Sequence, residues 1–265
     1  MAKSKQFGHC RLCGNYRPLT KEHVPPQAAF NSQTIIETTM DDWLDGDFMR
    51  PTKGKMVQGG SSHITLCRDC NSSTGAWYGN AFKHWCYEGA SILLATGCEP
   101  QLSYPFYIQP LNVLKQIVSM TYSVNNIHYL VENPDLAEFV RDKHSRRLPS
   151  RCRVFVYFNI EGMMRRVGNE MALLRLEDGI WRGYNLTEIS HPPFGYVVTT
   201  DGSKPDKRFC EITDFKRFRL DEWGVATLNI AVLPTHMPIS LDYRTTNEIH
   251  DQAELSRQRS KSASN

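Results

Sequence analysis

Cys10, Cys13, Cys67 and Cys70 form two C-x-x-C pairs, set apart by residues 14–66. In a reducing compartment, this spacing reads as a metal site before it reads as disulfides. Four thiolates fill a tetrahedral zinc shell and leave no coordination position open, so such a zinc would be structural. The other four of the eight cysteines, Cys86, Cys98, Cys152 and Cys210, are scattered and read as small buried hydrophobes. Residues that could do chemistry lie between the pairs and directly after them. The run Thr20-Lys21-Glu22-His23-Val24-Pro25-Pro26 follows the first pair, and Asn71 follows the last cysteine. His23 has an intrinsic pKa suited to taking a proton at neutral pH. Glu22 and Asn71 offer oxygen ligands to a hard cation such as Mg²⁺ or Mn²⁺. Taken singly, Glu22-His23 reads as a surface pair and Asn71 as a helix cap. Their order and spacing relative to the cysteines favour the chemical reading.

An acid beside a histidine, then prolines, then a C-x-x-C-N segment opening a helix, resembles the HNH nuclease family over residues 8–80. The resemblance implies a ββα module in which a two-stranded hairpin and a helix clasp one divalent cation, with C-x-x-C pairs binding zinc on either side. It implies His23 as general base and Glu22 and Asn71 as ligands of a catalytic Mg²⁺ or Mn²⁺. Phosphodiester hydrolysis needs a base for water, neutralisation of charge at phosphorus and a stabilised leaving oxygen, and these residue types meet those needs. Pro25-Pro26 would end the first strand and fix the direction in which His23 leaves it. One position departs from the family pattern. The middle residue, usually an Asn that braces the loop carrying the base, is replaced by Ser61-Ser62-His63. His63 or Ser62 is expected to brace the loop instead, or His63 to serve as a third ligand.

The elements that must position these residues divide by texture. Residues 8–87 are rich in Gly, Pro, Ser and Thr and cannot close a large core without a staple. A helix is expected over residues 71–88, with Asn71 as its cap. The acidic run 41–47 reads as a solvated loop, and Gly59-Gly60 as a turn. Further on, helical periods cover 110–123 and 134–144. Strand-like runs follow at 151–160, 171–176, 180–186, 196–200, 209–212 and 227–233. The expected fold is α+β, an N-terminal zinc-bound ββα-metal module over 1–88 followed by helices packed on an antiparallel sheet over 89–249. A polar tail over 250–265 is expected to fray.

The chain has 265 residues and a formal net charge of +3, so local clusters must make any case for nucleic acid. Lys53, Lys55 and Arg68 in the first segment and Arg146 and Arg147 in the second, within a run that also holds Arg151, Arg153 and Arg165-Arg166, are the candidate phosphate contacts. No run approaches the ~18–20 apolar residues of a membrane span, and the N-terminus leads into no apolar stretch. The expectation is an intracellular, cytoplasmic endonuclease acting on DNA, with RNA as the other substrate class, used in antiphage defence or a mobile element. Paired cuts would require a homodimer. The second segment is expected to choose the target, sense a ligand or bind a regulatory partner. The alternative is a zinc-stabilised nucleic-acid-binding module without catalysis.

Overall fold

The computed structural model describes residues 6–44, 54–168, 172–177 and 180–263. The chain opens with β1 (Phe7–His9), a tight turn bearing Cys10 and Cys13, and β2 (Tyr16–His23). The turn closes through the Gly14 amide on the Cys10 carbonyl at 2.8 Å. Gly14 sits at φ +76°, where a side chain would be strained. A peripheral excursion follows: β3 (Ile35–Glu37), α1 (Met40–Leu44) and β4 (Lys55–Val57), with β3 and β4 paired only to each other. The chain then returns as β5 (Ser62–Cys67), which pairs antiparallel with β2 in the register Glu22↔His63 and His23↔Ser62. The long helix α2 (Arg68–Thr96) starts at the next residue. Strands β1-β2-β5 and α2 thus make a ββα unit with one extra strand.

The helix is longer than its periodicity predicts. Its cap is Cys67, without a side-chain capping bond, and Asn71 lies inside the first turn. Gly75 and Gly79 do not stop it, because tertiary packing of one face outweighs local propensity. That face holds Tyr78, Phe82, Trp85, Cys86, Ile92 and Leu93. The expected boundary at residue 88 therefore falls in the middle of a continuous helix. Trp85 lies at the join between segments. Its ring stacks on Phe194 at 4.4 Å and packs on Phe106, and its Nε1 donates to the Tyr196 hydroxyl at 3.0 Å. One apolar cluster runs without a break from Cys10 and Leu66 through Trp85 to Ile230.

After α2 come β6 (Gln101–Ile108), α3 (Pro110–Val124), α4 (His128–Glu132) and α5 (Pro134–Arg141). Next are β7 (Arg153–Phe158), β8 (Arg165–Val167), β9 (Ala172–Glu177), β10 (Ile180–His191), β11 (Phe194–Thr199), β12 (Cys210–Glu211) and β13 (Gly224–Ala231). The strands form an antiparallel sheet in the order β12-β7-β11-β10-β8, with β9 hairpinned onto β10, while β13 pairs with β6 apart from it. The alternation along β7 has a simple cause. Val154, Val156 and Phe158 face the cluster containing Trp85, and Phe155 and Tyr157 face a second one with Phe209, Leu241 and Tyr243. The fold is α+β, as the order of periodicities predicts. Within the tail, the described residues to 263 continue a helix, α6 (Thr246–Ala263), exposed from Asp251 to Arg259. None of the helices among the described residues is long and apolar enough to cross a membrane.

Candidate functional site

The β1–β2 turn supplies Cys10 and Cys13, the end of β5 supplies Cys67, and the first turn of α2 supplies Cys70. Their sulfurs all lie within 4.8 Å of one another. The Cys13 and Cys67 sulfurs are 3.9 Å apart. A tetrahedral ion with bonds of about 2.3 Å has ligand–ligand edges of about 3.8 Å, so the donor set fits zinc in both type and spacing. The thiols also share charge unevenly. Cys10 is pulled down to about 4, chiefly by a hydrogen bond from Cys70, and Cys70 is pushed far above its ordinary value by the same bond. Crowded sulfurs of this kind accept a dication in place of their protons. Cys86 and Cys152 are buried elsewhere, and burial pushes both thiols up to about 12.

Beside this cluster is a cleft of about 320 Å³ whose walls include Lys21, Glu22, His23, Asn71, Thr74, Gly75, Gly79 and Gln116. Glu22, His23 and Asn71 come from the two ends of the ββα unit and meet here. Asn71 is oriented by donating its amide to the Thr20 hydroxyl at 3.0 Å and to the Lys21 carbonyl at 3.1 Å. A carbonyl can only accept, so the amide oxygen must point the other way. His23 Nε2 is screened from solvent and has no hydrogen-bond partner among the described residues. Burial and the Lys21 charge lower the His23 pKa, while the Gly59 carbonyl acts in the opposite sense. The ring is therefore neutral at neutral pH, the form able to take a proton.

Glu22 is more deeply placed than its neighbours. It is 7% exposed, and its carboxylate accepts a 2.5 Å bond from the Ser123 hydroxyl at the end of α3. Burial pushes its pKa up to about 7. Arg11, in the cysteine turn, clamps the same place by donating to the Ser123 and Asn125 carbonyls. The α3 helix also brings Gln116, 4% exposed, whose Oε1 lacks a hydrogen-bond partner among the described residues. Glu22, Asn71 and Gln116 all line the same cleft.

The loop that follows His23 is braced by Asn31. Its amide nitrogen donates to the Pro25 carbonyl at 2.6 Å and to the Ser61 carbonyl at 2.9 Å, and its oxygen accepts the Ser61 amide at 2.7 Å. Gly60 permits this approach, since a Cβ there would sit 2.0 Å from the Asn31 carbonyl oxygen. The brace expected of Ser62 or His63 is therefore supplied from the other side of the loop. His63 Nε2 lies 3.3 Å from the Arg166 guanidinium, which also contacts the Ser61 hydroxyl and pairs with Glu37 at 2.7 Å. Burial and the charges of Arg166 and Arg11 push the His63 pKa down to about 4. A fixed cation at that distance works against metal ligation by His63. No sequence pattern marks Asn31, Gln116 or Ser123. Asn31 and Ser123 act through partners 30 and 101 positions away, and Gln116 enters the cleft only through the packing of α3.

Of the basic residues, Lys21 lines the cleft, and Lys55, Arg68, Arg146 and Arg147 do not. Lys55 is exposed on β4, Arg68 is exposed at the start of α2, and Arg146 and Arg147 are exposed after α5. Lys53 lies outside the described residues. The rest of the second basic run is neutralised in part: Arg151 pairs with Asp135, Arg153 with Glu211, and Arg165 with Glu188 in the interior. Compared with family models, with curated proteins and with solved structures, the chain matches none.

Proposed function

We propose that the chain is a metal-dependent nuclease of HNH type, with a structural zinc at the four cysteines and a catalytic Mg²⁺ or Mn²⁺ at the cleft. The observation that carries this reading is the convergence of Glu22, His23 and Asn71 on one cleft beside the cysteine cluster. When bound, the divalent cation would neutralise charge on the scissile phosphate and on the leaving oxygen. Glu22 and Asn71 would hold it, with Gln116 in the wall of the same cleft. Water attacks phosphorus, its proton passes to the His23 imidazole, and the bond from phosphorus to the leaving oxygen breaks. Asn31 keeps the His23 loop in place during this step, and Lys21 draws the phosphate in. DNA is the substrate class we assign, and a role in antiphage defence or a mobile element is the setting that suits such a module.

A second reading, a zinc-stabilised binder without catalysis, is favoured by one observation: the Glu22 carboxylate is already engaged by Ser123. Incubating zinc-loaded protein with supercoiled plasmid and Mg²⁺ or Mn²⁺ separates the two. The nuclease reading expects metal-dependent nicking that falls about 10²–10⁴-fold in His23→Ala, the usual worth of a general base. Plasmid that is bound and never cut would establish the binder instead.

A further inference from the structure

The cleft continues along α2 into a second hollow. Gln27 and Ala28 line both, and the second is walled by Phe30, Ser32, Gln33 and Tyr87. Phe30 and Tyr87 stack at 4.6 Å, and both rings are substantially exposed. The Lys83 ammonium lies 5.6 Å from the Tyr87 ring centre. Exposed stacked pairs also occur at Phe7–Tyr16 and Tyr107–Trp223, but the Phe30–Tyr87 pair stands in the wall of a hollow with a cation beside it. Phe30 is also held at φ +64°, a conformation that non-glycine residues rarely adopt. The next residue is Asn31, so the bonds that brace the His23 loop also hold the turn that presents Phe30.

The floor between the two hollows is low. Asn71, Gly75, Gly79, Lys83 and Tyr87 recur every four residues and form one inclined row climbing about 24 Å along the helix. A Cβ on Gly75 or Gly79 would meet nothing within 4 Å. Packing inside the protein therefore does not require these glycines, and each weakens the helix relative to alanine. Glycine does allow a ligand to lie close against the backbone.

Building on the nuclease reading, we propose that the substrate is an unpaired nucleic-acid strand, laid along this row with a base stacked on Tyr87 and Phe30 and its backbone drawn by Lys83 and Lys21. Aromatic faces stack on any base and need one that is not already paired, so the platform selects single strands or frayed ends over intact duplex.

Binding of labelled dT12, U12 and a blunt duplex, followed by anisotropy at low salt in EDTA with zinc retained, tests this without requiring cleavage. Tyr87→Ala should weaken dT12 binding on the order of tenfold, Tyr87→Trp should keep it, and duplex affinity should change less than twofold. Gly79→Gln, which fills the floor, should weaken dT12 as well. The dT12 and U12 arms show whether the strand is DNA, RNA or either. Failure of the wild type to bind any single strand, an unchanged affinity in Tyr87→Ala, or an equal loss on duplex would overturn the proposal. If the platform behaves as expected and no metal supports cleavage, the docking site stands and the nuclease reading falls.

Discussion

The ββα unit and the sheet that follows it hold their shapes by different means. In the sheet, β7 and β11 are buried on both faces, and their order comes from close-packed aromatic and β-branched side chains. In the ββα unit, half of β2 is exposed and only the second half of β5 is buried, and position is set by directional links: four sulfurs, the Asn31 amide, the Arg11 clamp and the Glu22–Ser123 bond. Apolar packing tolerates exchange of similar shapes, whereas directional links fix a few atoms and fail one at a time. The site we propose, which would have to place a base, two oxygen ligands and a phosphate, is better served by the second kind. It leans on the first through α2 and α3, which carry Asn71 and Ser123 and are themselves anchored in the shared core.

The sharpest way to break this contrast is to remove the staple. Zinc chelation, or Cys70→Ser, is expected to unfold β1, β2 and β5, since structural zinc contributes on the order of 10 kcal/mol to small modules. Amide exchange should rise across residues 7–23 and 62–67 while β7, β10 and β11 stay protected. Equal loss of protection in both regions would show that the staple supports the whole molecule. Trp85→Ala attacks the join, where burial is complete. Truncating a buried aromatic of this size costs about 3–5 kcal/mol, and calorimetry should show both regions losing stability together.

Glu22 gives a titratable version of the same comparison. Its folded pKa of about 7 lies above the ordinary 4.5 because it is buried. Below pH 4.5 it is protonated in both states and its full contribution is present. As pH rises to 7 the unfolded chain gives up the proton first, so stability falls, by about 3 kcal/mol in all. Glu22→Gln should flatten that fall in denaturant titrations of zinc-loaded protein, and Mn²⁺ should offset it in the wild type above pH 7. A wild-type profile with no slope over this range would remove Glu22 from the account. The smallest effect is expected from Asn31→Ala, which leaves buried groups at Pro25 and Ser61 unpaired and costs about 1–3 kcal/mol. Melting should show that loss, with activity falling further than stability alone explains.

Sequence reached the local features well. Both C-x-x-C pairs are recognisable because their spacing is local, and their sulfurs meet in the fold; Glu22, His23 and Asn71, picked out by their order beside the cysteines, line one cleft. The helices at 110–123 and 134–144 and the strand at 151–160 were legible from period alone, matching α3, α5 and β7 to within a few residues. Strands β6 and β8 were not, since β6 carries Pro105 and an exposed Tyr107, and β8 is three residues long with two arginines. The extent of α2 was hidden by its glycines, because the burial of Ile92 and Leu93 that sustains it depends on the rest of the fold. Asn31 and Ser123 gain their roles only from contacts across the chain, and Arg165 shows the converse. It reads as surface charge in sequence and lies buried against Glu188.

In the proposed mechanism His23 takes a proton from water at a metal-loaded cleft. The most direct measurement is chemical rescue: plasmid cleavage by zinc-loaded His23→Ala in Mn²⁺, with and without added imidazole. Cleavage is expected near background without imidazole, at a rate that rises with its concentration, with no such rise in Asn71→Ala. Wild-type speed in His23→Ala, or cleavage that persists in EDTA, would contradict it.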